Sequence, residues 1–175
     1  EIDIALGGMD QRKAHMYMRE VADRNGWTKA TCIHTPMLSG LKGASGRMDS
    51  FDHKMSKSDP NNAILLHDTP KKLEKKFRKA FLEPGNSDSP VYEIAKYVIM
   101  PRNGEVHVNP KPEFGEPSSW TDLDALIEAI SDGSVHPFDA KMAIAHGLAE
   151  ILEPISEHFT QNSELLDAVN QMTGQ

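Results

Sequence analysis

Five consecutive residues, Lys54-Met55-Ser56-Lys57-Ser58, put two ammonium groups and two hydroxyls into one short stretch. Lysine is a flexible point charge, and hydroxyls beside it add hydrogen bonds. Such a stretch, in a mobile loop, suits a polyphosphate. It can close on a triphosphate and hold positive charge where negative charge grows on a departing pyrophosphate. Charge positioned in this way stabilises a transition state by roughly 3 kcal/mol per donor and transfers no proton. A solvated basic turn is the plainer reading of the same residues. Upstream, the apolar alternation Ile2, Ile4, Leu6 runs into Gly7-Gly8-Met9-Asp10-Gln11. Two glycines at the carboxyl end of a strand let backbone approach a ligand, at the place where open α/β sheets bind nucleotides. Asp10 can accept from ribose hydroxyls, and Gln11 can both donate and accept. An aspartate at a helix start also serves as a simple cap.

The elements that must position these groups follow from pattern. Ile2 to Gly8 reads as a short buried strand, about Asp10 to Asn25 as a helix closed by Gly26, and Ala30 to His34 as a second strand. That order is the βαβ grammar of a parallel sheet. The glycine-rich stretch 38–52 reads as a mobile loop, and 61–66 as a short strand or turn. Thr69 and Pro70 mark a helix start, with Leu73, Phe77, Ala80 and Phe81 on one face. Beyond residues 84–90 the chain reads as mainly helical: Pro90 to Met100, stopped by Pro101; Thr121 to Ile130, capped by Thr121; Asp139 to Leu152, broken or restarted at Pro154; and Glu164 to Met172. Val106 to Val108 is a short strand, and the proline-rich 109–119 a loop.

A length of 175 residues allows one compact domain or two small ones. No apolar run approaches the roughly 20 residues of a membrane span, and the first residues lack the basic start of a signal peptide. A single cysteine, Cys32, fits a reducing, cytoplasmic setting and reads as a small buried residue of a strand. The net charge of −7 argues against a general nucleic-acid binder. Lys71, Lys72, Lys75, Lys76, Arg78 and Lys79 nevertheless crowd six positive charges into nine residues. That helix is either a solvated face or a surface for RNA phosphate, Lys72 and Lys76 included. The histidines are scattered and show no metal-ligand spacing.

The Lys54–Ser58 pentapeptide with Asp59-Pro60-Asn61 resembles the KMSKS loop of class I aminoacyl-tRNA synthetases. Gly7 to Met16 resembles the GGxDQRKxHM stretch of the tyrosyl enzymes of archaeal and eukaryotic type, and so do Glu93 to Tyr97 (EIAKY), Pro101-Arg102 and His136 to Lys141 (HPFDAK). Leu82 stands where that family often has cysteine, and Glu116 replaces the second glycine of its FGG. The resemblance implies an α/β architecture: residues 1–86 as the second half of a Rossmann-like, parallel-sheet nucleotide-binding domain, and 87–175 as a mainly α-helical anticodon-binding domain. It implies ATP contacts from Gly7, Gly8, Asp10, Met37, Leu38, Lys54, Met55, Ser56, Lys57 and Ser58, with Lys54 and Lys57 catalytic. Gln11 would touch the bound tyrosine. Phe114 and His136 would stack on anticodon bases, and Asp139 would read a base edge. A helix cap for Asp139 and a turn position for His136 are the structural alternatives. The implied partners are tyrosine, ATP, tRNA-Tyr and a possible second copy, with no membrane. Mg2+ would accompany ATP, held by phosphates and water.

The HIGH-type motif that completes such a site is absent from the 175 residues, as are the family's earlier tyrosine-specifying positions. The expectation is a C-terminal portion, inactive alone in adenylate formation and completed by an N-terminal half from the same gene or a separate chain. A stand-alone tRNA-binding module and a fragment of the related tryptophanyl enzyme are the alternatives.

Overall fold

The computed structural model describes residues 2–43, 54–56 and 58–173. The expected mobile loop over 38–52 therefore lies mostly outside the described residues, as does Lys57.

Strand β1 (Ile4–Gly8) pairs in parallel with β2 (Thr31–Thr35), in register from Ile4↔Thr31 to Gly8↔Thr35. Between them run a 3-10 turn (Met9–Gln11) and helix α1 (Arg12–Arg24). Gly26 ends α1 with φ +65°, where a side chain would strain the backbone, and Trp27 N–H returns to Ala22 O at 2.9 Å. Arg19 pins the entry to β2 by donating to Ala30 O.

The buried β1 strand needs correction. Ala5, Gly7, Cys32 and His34 are half-buried, but Ile4 is 62% and Leu6 69% exposed, with Ile33 beside them at 48%. Parallel strands are normally covered on both faces. The alternation here shows one face of the pair covered and the other open. Cys32 is accordingly half-buried rather than enclosed.

Helix α2 (Pro70–Lys79) starts as its sequence indicates: Thr69 Oγ1 accepts from Lys72 N–H, and Pro70 occupies the first turn. Its Leu73 and Phe77 are wholly enclosed. The next helical run does not stop at Pro101. Helix α3 (Pro90–Ile94) passes through a π-turn (Ala95–Ile99) into α4 (Met100–Asn103), which closes at Gly104 with φ +84°. A proline ring clashes with the carbonyl four residues earlier. The wider π-turn immediately before Pro101 relieves that clash, so the helix continues.

Strand β3 (Val106–Val108) pairs antiparallel with β4 (Ser118–Trp120), an element hidden at the end of the proline-rich loop. The cap of α5 (Leu123–Ser131) is Asp122, not Thr121: its carboxylate accepts from the Asp124 and Ala125 amides. Helix α6 (Pro137–Gln161) runs unbroken through Pro154. Leu152 and Ser156, on either side of that proline, are buried, so packing offsets the lost backbone bond. Helix α7 (Ser163–Thr173) ends the described chain.

One apolar cluster joins Leu41, Leu73 and Phe77 to Val91, Tyr92, Ile99, Leu126, Ile144 and Leu148. The core is thus continuous across residues 84–90. Three contacts bind the region around α2 to α6: Glu74 Oε1 to His146 Nε2 at 3.4 Å, Arg78 over the Phe138 ring at 5.5 Å, and His67 edge-on to Phe159.

Candidate functional site

The glycine turn after β1 brings its polar residues toward the lysine loop. A Cβ on Gly8 would lie 2.6 Å from Asp10 Oδ1, so any side chain there would push that carboxylate from its place. Gly7 is hemmed by His15 and Gln11, where a Cβ would stand 3.0 and 3.1 Å away. His15 Nδ1 meets His34 Nε2 at 3.1 Å, which ties α1 to β2 and gives His34 a structural role. Asp10 points onward, and its Oδ2 lies 3.6 Å from Lys54 Nζ. Two segments 44 positions apart in sequence, each singled out on its own chemistry, therefore meet through opposite charges. Gln11 is exposed at the same turn.

Lys54 sits at the edge of a short antiparallel bridge with Ser39, and Met55 N–H donates to Leu38 O at 2.8 Å. The lysine side chain is 55% exposed, with its ammonium beside the Asp10 carboxylate. Met37, Leu38, Lys54 and Met55 line a cavity of about 390 Å³, floored by Ala63, Ile64 and Leu65. The backbone segment expected to hold adenine and the root of the lysine loop thus share one cleft. Ser56 Oγ and Ser58 Oγ lie 2.9 Å apart. The loop then turns back: Asp59 N–H donates to Ser56 O, and Asn62 N–H to Asp59 O. Lys42 Nζ holds Asp59 at 2.7 Å, and that hydrogen bond with its charge keeps the Asp59 carboxyl below the usual aspartate range. Asn62 Oδ1 accepts from Lys42 N–H at 2.7 Å, and a side chain at buried Gly40 would collide with the Asn62 amide.

Two roomier cavities lie elsewhere. One of about 660 Å³ is apolar and runs between α1 and the start of β2, lined by Tyr17, Met18, Val21, Ala22 and Trp27. The other, about 700 Å³, is lined by Lys42, Lys72, Lys75, Lys76 and Lys79 with Pro60 and Asn61. Neither holds the Asp10–Lys54 pair. The lysine-rich cleft separates two residues that the sequence treats alike. Lys72 is exposed. Lys76 is not: its ammonium donates to Ala63 O at 2.8 Å and to the Asp68 carboxylate, with side-chain exposures of 11% and 2%. An RNA contact from Lys76 is therefore corrected. An internal ion pair holds its charge, and pulling it outward would leave the buried Asp68 carboxylate without its counter-charge.

In the helical region, His136 itself caps α6, its Nδ1 accepting from Phe138 N–H at 3.1 Å. The capping alternative for Asp139 is thereby replaced: Asp139 is a half-buried residue of the first turn. Its neighbour Lys141 has its ammonium pKa lowered by burial. Phe114 is 71% exposed on the separate 109–117 loop, and among the described residues no ring contact joins it to His136. Among the described residues, no three histidine, cysteine or acidic side chains gather as a metal site, and no helix is long and apolar enough to cross a membrane. Sequence reasoning missed Ser39, Asn62 and Glu93, which hold the loop root. Ser39 and Asn62 flank residues already marked, and Glu93 opens the EIAKY stretch, but no pattern in the sequence brings the three together.

A parallel βαβ unit whose glycine turn meets Lys54, followed by a helical region, defines an α/β protein. Residues 1–153 match the family of class I tRNA synthetases for tryptophan and tyrosine (W and Y), and the chain belongs to that family. It is 39% identical to a tyrosine–tRNA ligase of Sulfurisphaera tokodaii over 98% of its own length and 50% of that protein. It is 40% identical to one of Aeropyrum pernix over 89% and 45%. The crystal structure of tyrosyl-tRNA synthetase from Aeropyrum pernix superposes with a TM-score of 0.81 at 36% identity, covering 99% of this chain and 48% of that one. The Pyrococcus horikoshii enzyme complexed with L-tyrosine gives 0.81 at 32% identity, covering 94% and 50%. The chain thus spans about half the length of the curated relatives it matches.

Proposed function

We propose that the chain is the KMSKS-bearing, C-terminal portion of a tyrosine–tRNA ligase, which activates tyrosine with ATP and passes it to tRNA-Tyr. The contact that carries this reading is Asp10 to Lys54 at 3.6 Å, beside the Met37–Met55 cleft. In adenylate formation a tyrosine carboxylate oxygen attacks the α-phosphorus of ATP. The bond from that phosphorus to the bridging oxygen breaks, and pyrophosphate leaves with Mg2+. Lys54 and Lys57 place charge on the leaving group as it forms. Asp10 takes ribose hydroxyls in place of the lysine, Gln11 meets tyrosine, and the Met37-Leu38 backbone faces adenine. Gly7 and Gly8 let the nucleotide come close, while Met55, Ser56 and Ser58 complete the loop. A terminal ribose hydroxyl of tRNA then attacks the tyrosyl carbonyl, and AMP departs.

Residues 1–86 act here as the nucleotide-binding part and 87–175 as the anticodon-binding part, with Phe114, His136, Asp139 and Lys72 toward tRNA. The exposed Ile4, Leu6 and Ile33 support completion of the sheet by the N-terminal half of the enzyme, on the same polypeptide or another. The relatives' names favour tyrosine over tryptophan, and the specific cleft favours a ligase over a bare RNA-binding module. The test is pyrophosphate exchange. The chain alone should be inactive, and mixing with an N-terminal half should restore exchange driven by tyrosine and not tryptophan. Full exchange by the chain alone, or a response to tryptophan, contradicts the reading.

A further inference from the structure

One carboxylate ties the helical region to the root of the lysine loop. Glu93 stands on α3, where Pro90, Val91, Tyr92 and Ile94 are all buried, so its backbone is fixed. Its Oε2 accepts from the Ser39 backbone N–H at 2.7 Å, and its Oε1 accepts from Ser39 Oγ at 3.0 Å. Bonds to an ionised acceptor are about twice as strong as neutral ones, and two together fix direction as well as distance. Ser39 directly follows Met37-Leu38 and forms the bridge partner of Lys54, while Leu38 O receives Met55 N–H. A side chain 54 residues away thus grips the strip of backbone on which Lys54 is mounted.

We propose that Glu93 is the positioning residue for Lys54: it holds the Leu38–Ser39 backbone in place, and through that bridge sets where the lysine ammonium can reach. The inference rests on the nucleotide-site reading for its chemical consequence. A cation that acts on a leaving group must be placed within about 1 Å, because small displacements cost on the order of 100-fold in rate. The bridge alone is too short to supply that order. Glu93 bonds Ser39 and acts on Lys54 only through that backbone. Its effect is on geometry, so it should appear in turnover more than in ATP affinity. Glutamine can reproduce both contacts, its carbonyl accepting from the Ser39 N–H and its amide donating to Ser39 Oγ. Alanine reproduces neither.

Amide hydrogen exchange on this chain tests the anchor. Glu93→Ala should speed exchange at the Ser39 and Met55 amides at least tenfold, while the Leu126 and Ile144 amides stay within twofold and certify the fold. Ser39→Ala, which removes only the hydroxyl arm, should speed Met55 less, and Glu93→Gln should remain near the parent. Unchanged Met55 exchange in Glu93→Ala with an intact core overturns the proposal, and should that variant unfold, unchanged Met55 exchange in Ser39→Ala does so. Pyrophosphate exchange by the enzyme completed with its N-terminal half tests the consequence. Glu93→Ala should lower kcat at least tenfold with KM for ATP within threefold, and Glu93→Gln should recover most of it. A raised KM with kcat intact overturns the positioning role. If the parent protein itself shows no tyrosine-dependent exchange, the nucleotide-site reading fails, and the Met55 amide still decides whether Glu93 holds the loop root.

Discussion

Leu73, Phe77, Tyr92, Leu126 and Ile144 of the helical region are completely enclosed, whereas Ile4, Leu6 and Ile33 of the parallel strands face outward. The two regions use similar apolar residues to different ends. In the helical region those residues meet partners within the chain and form one core. In the sheet they present a face that the described residues leave exposed. The candidate chemistry lies where the two regions join, at a cleft floored by Ala63 to Leu65 and anchored from α3. The helical core therefore anchors the Leu38–Ser39 backbone beside Lys54, and the two parallel strands carry the glycine turn whose Asp10 meets that lysine.

The largest effects should come from the enclosed side. Phe77→Ala removes a ring from the middle of the core and should cost about 4 kcal/mol, read as a lower urea midpoint. Asp68→Ala strands the Lys76 ammonium beside the Ala63 carbonyl and should cost about 3 kcal/mol by the same measurement, whereas exposed Lys79→Ala should stay within about 0.5 kcal/mol. Lys54→Ala should leave the urea midpoint unchanged. In the completed enzyme it should lower pyrophosphate exchange by about 100-fold, an effect on rate from a residue outside the core.

The Tyr92 phenol is enclosed, its hydroxyl has no hydrogen-bond partner among the described residues, and burial pushes its pKa up to about 12. Below pH 10 both folded and unfolded chains keep that proton. Between pH 10 and about 12 the unfolded chain loses it first, so stability falls across that window. Tyr92→Phe should remove this contribution to the alkaline fall and leave stability at pH 7 equal or slightly higher, measured by thermal melts across pH. The smallest effect should be Leu6→Ser, within about 0.5 kcal/mol in this chain alone. The same change should weaken assembly with an N-terminal half, which would turn the contrast between the regions into a binding measurement.

Much of this arrangement is legible in the residues. Thr69-Pro70, Gly26 and the apolar spacing of α2 state their structure locally, because caps and helix faces depend on near neighbours. Lys54 and Asp10 declare their chemistry through residue type. What pattern misses depends on contacts across the chain. Pro101 and Pro154 look like helix stops, yet a π-turn and buried flanks carry the helices through them. Lys72 and Lys76 look alike in a run of lysines, and only the fold places Asp68 under one of them. The exposure of Ile4 and Leu6 contradicts their hydropathy, since the sequence of a strand does not say what covers it. Glu93 is marked only as part of the EIAKY stretch, with no role of its own until Ser39 is found against it.

The account stands most directly on whether ATP enters the Met37–Met55 cleft beside the Asp10–Lys54 pair. Backbone amide shifts of the chain titrated with Mg–ATP measure this without requiring turnover. ATP should perturb Gly8, Asp10, Leu38 and Met55 together, and Lys54→Ala should diminish those shifts while leaving α6 unaffected. Shifts confined to the exposed lysines of α2, with the glycine turn silent, would contradict it.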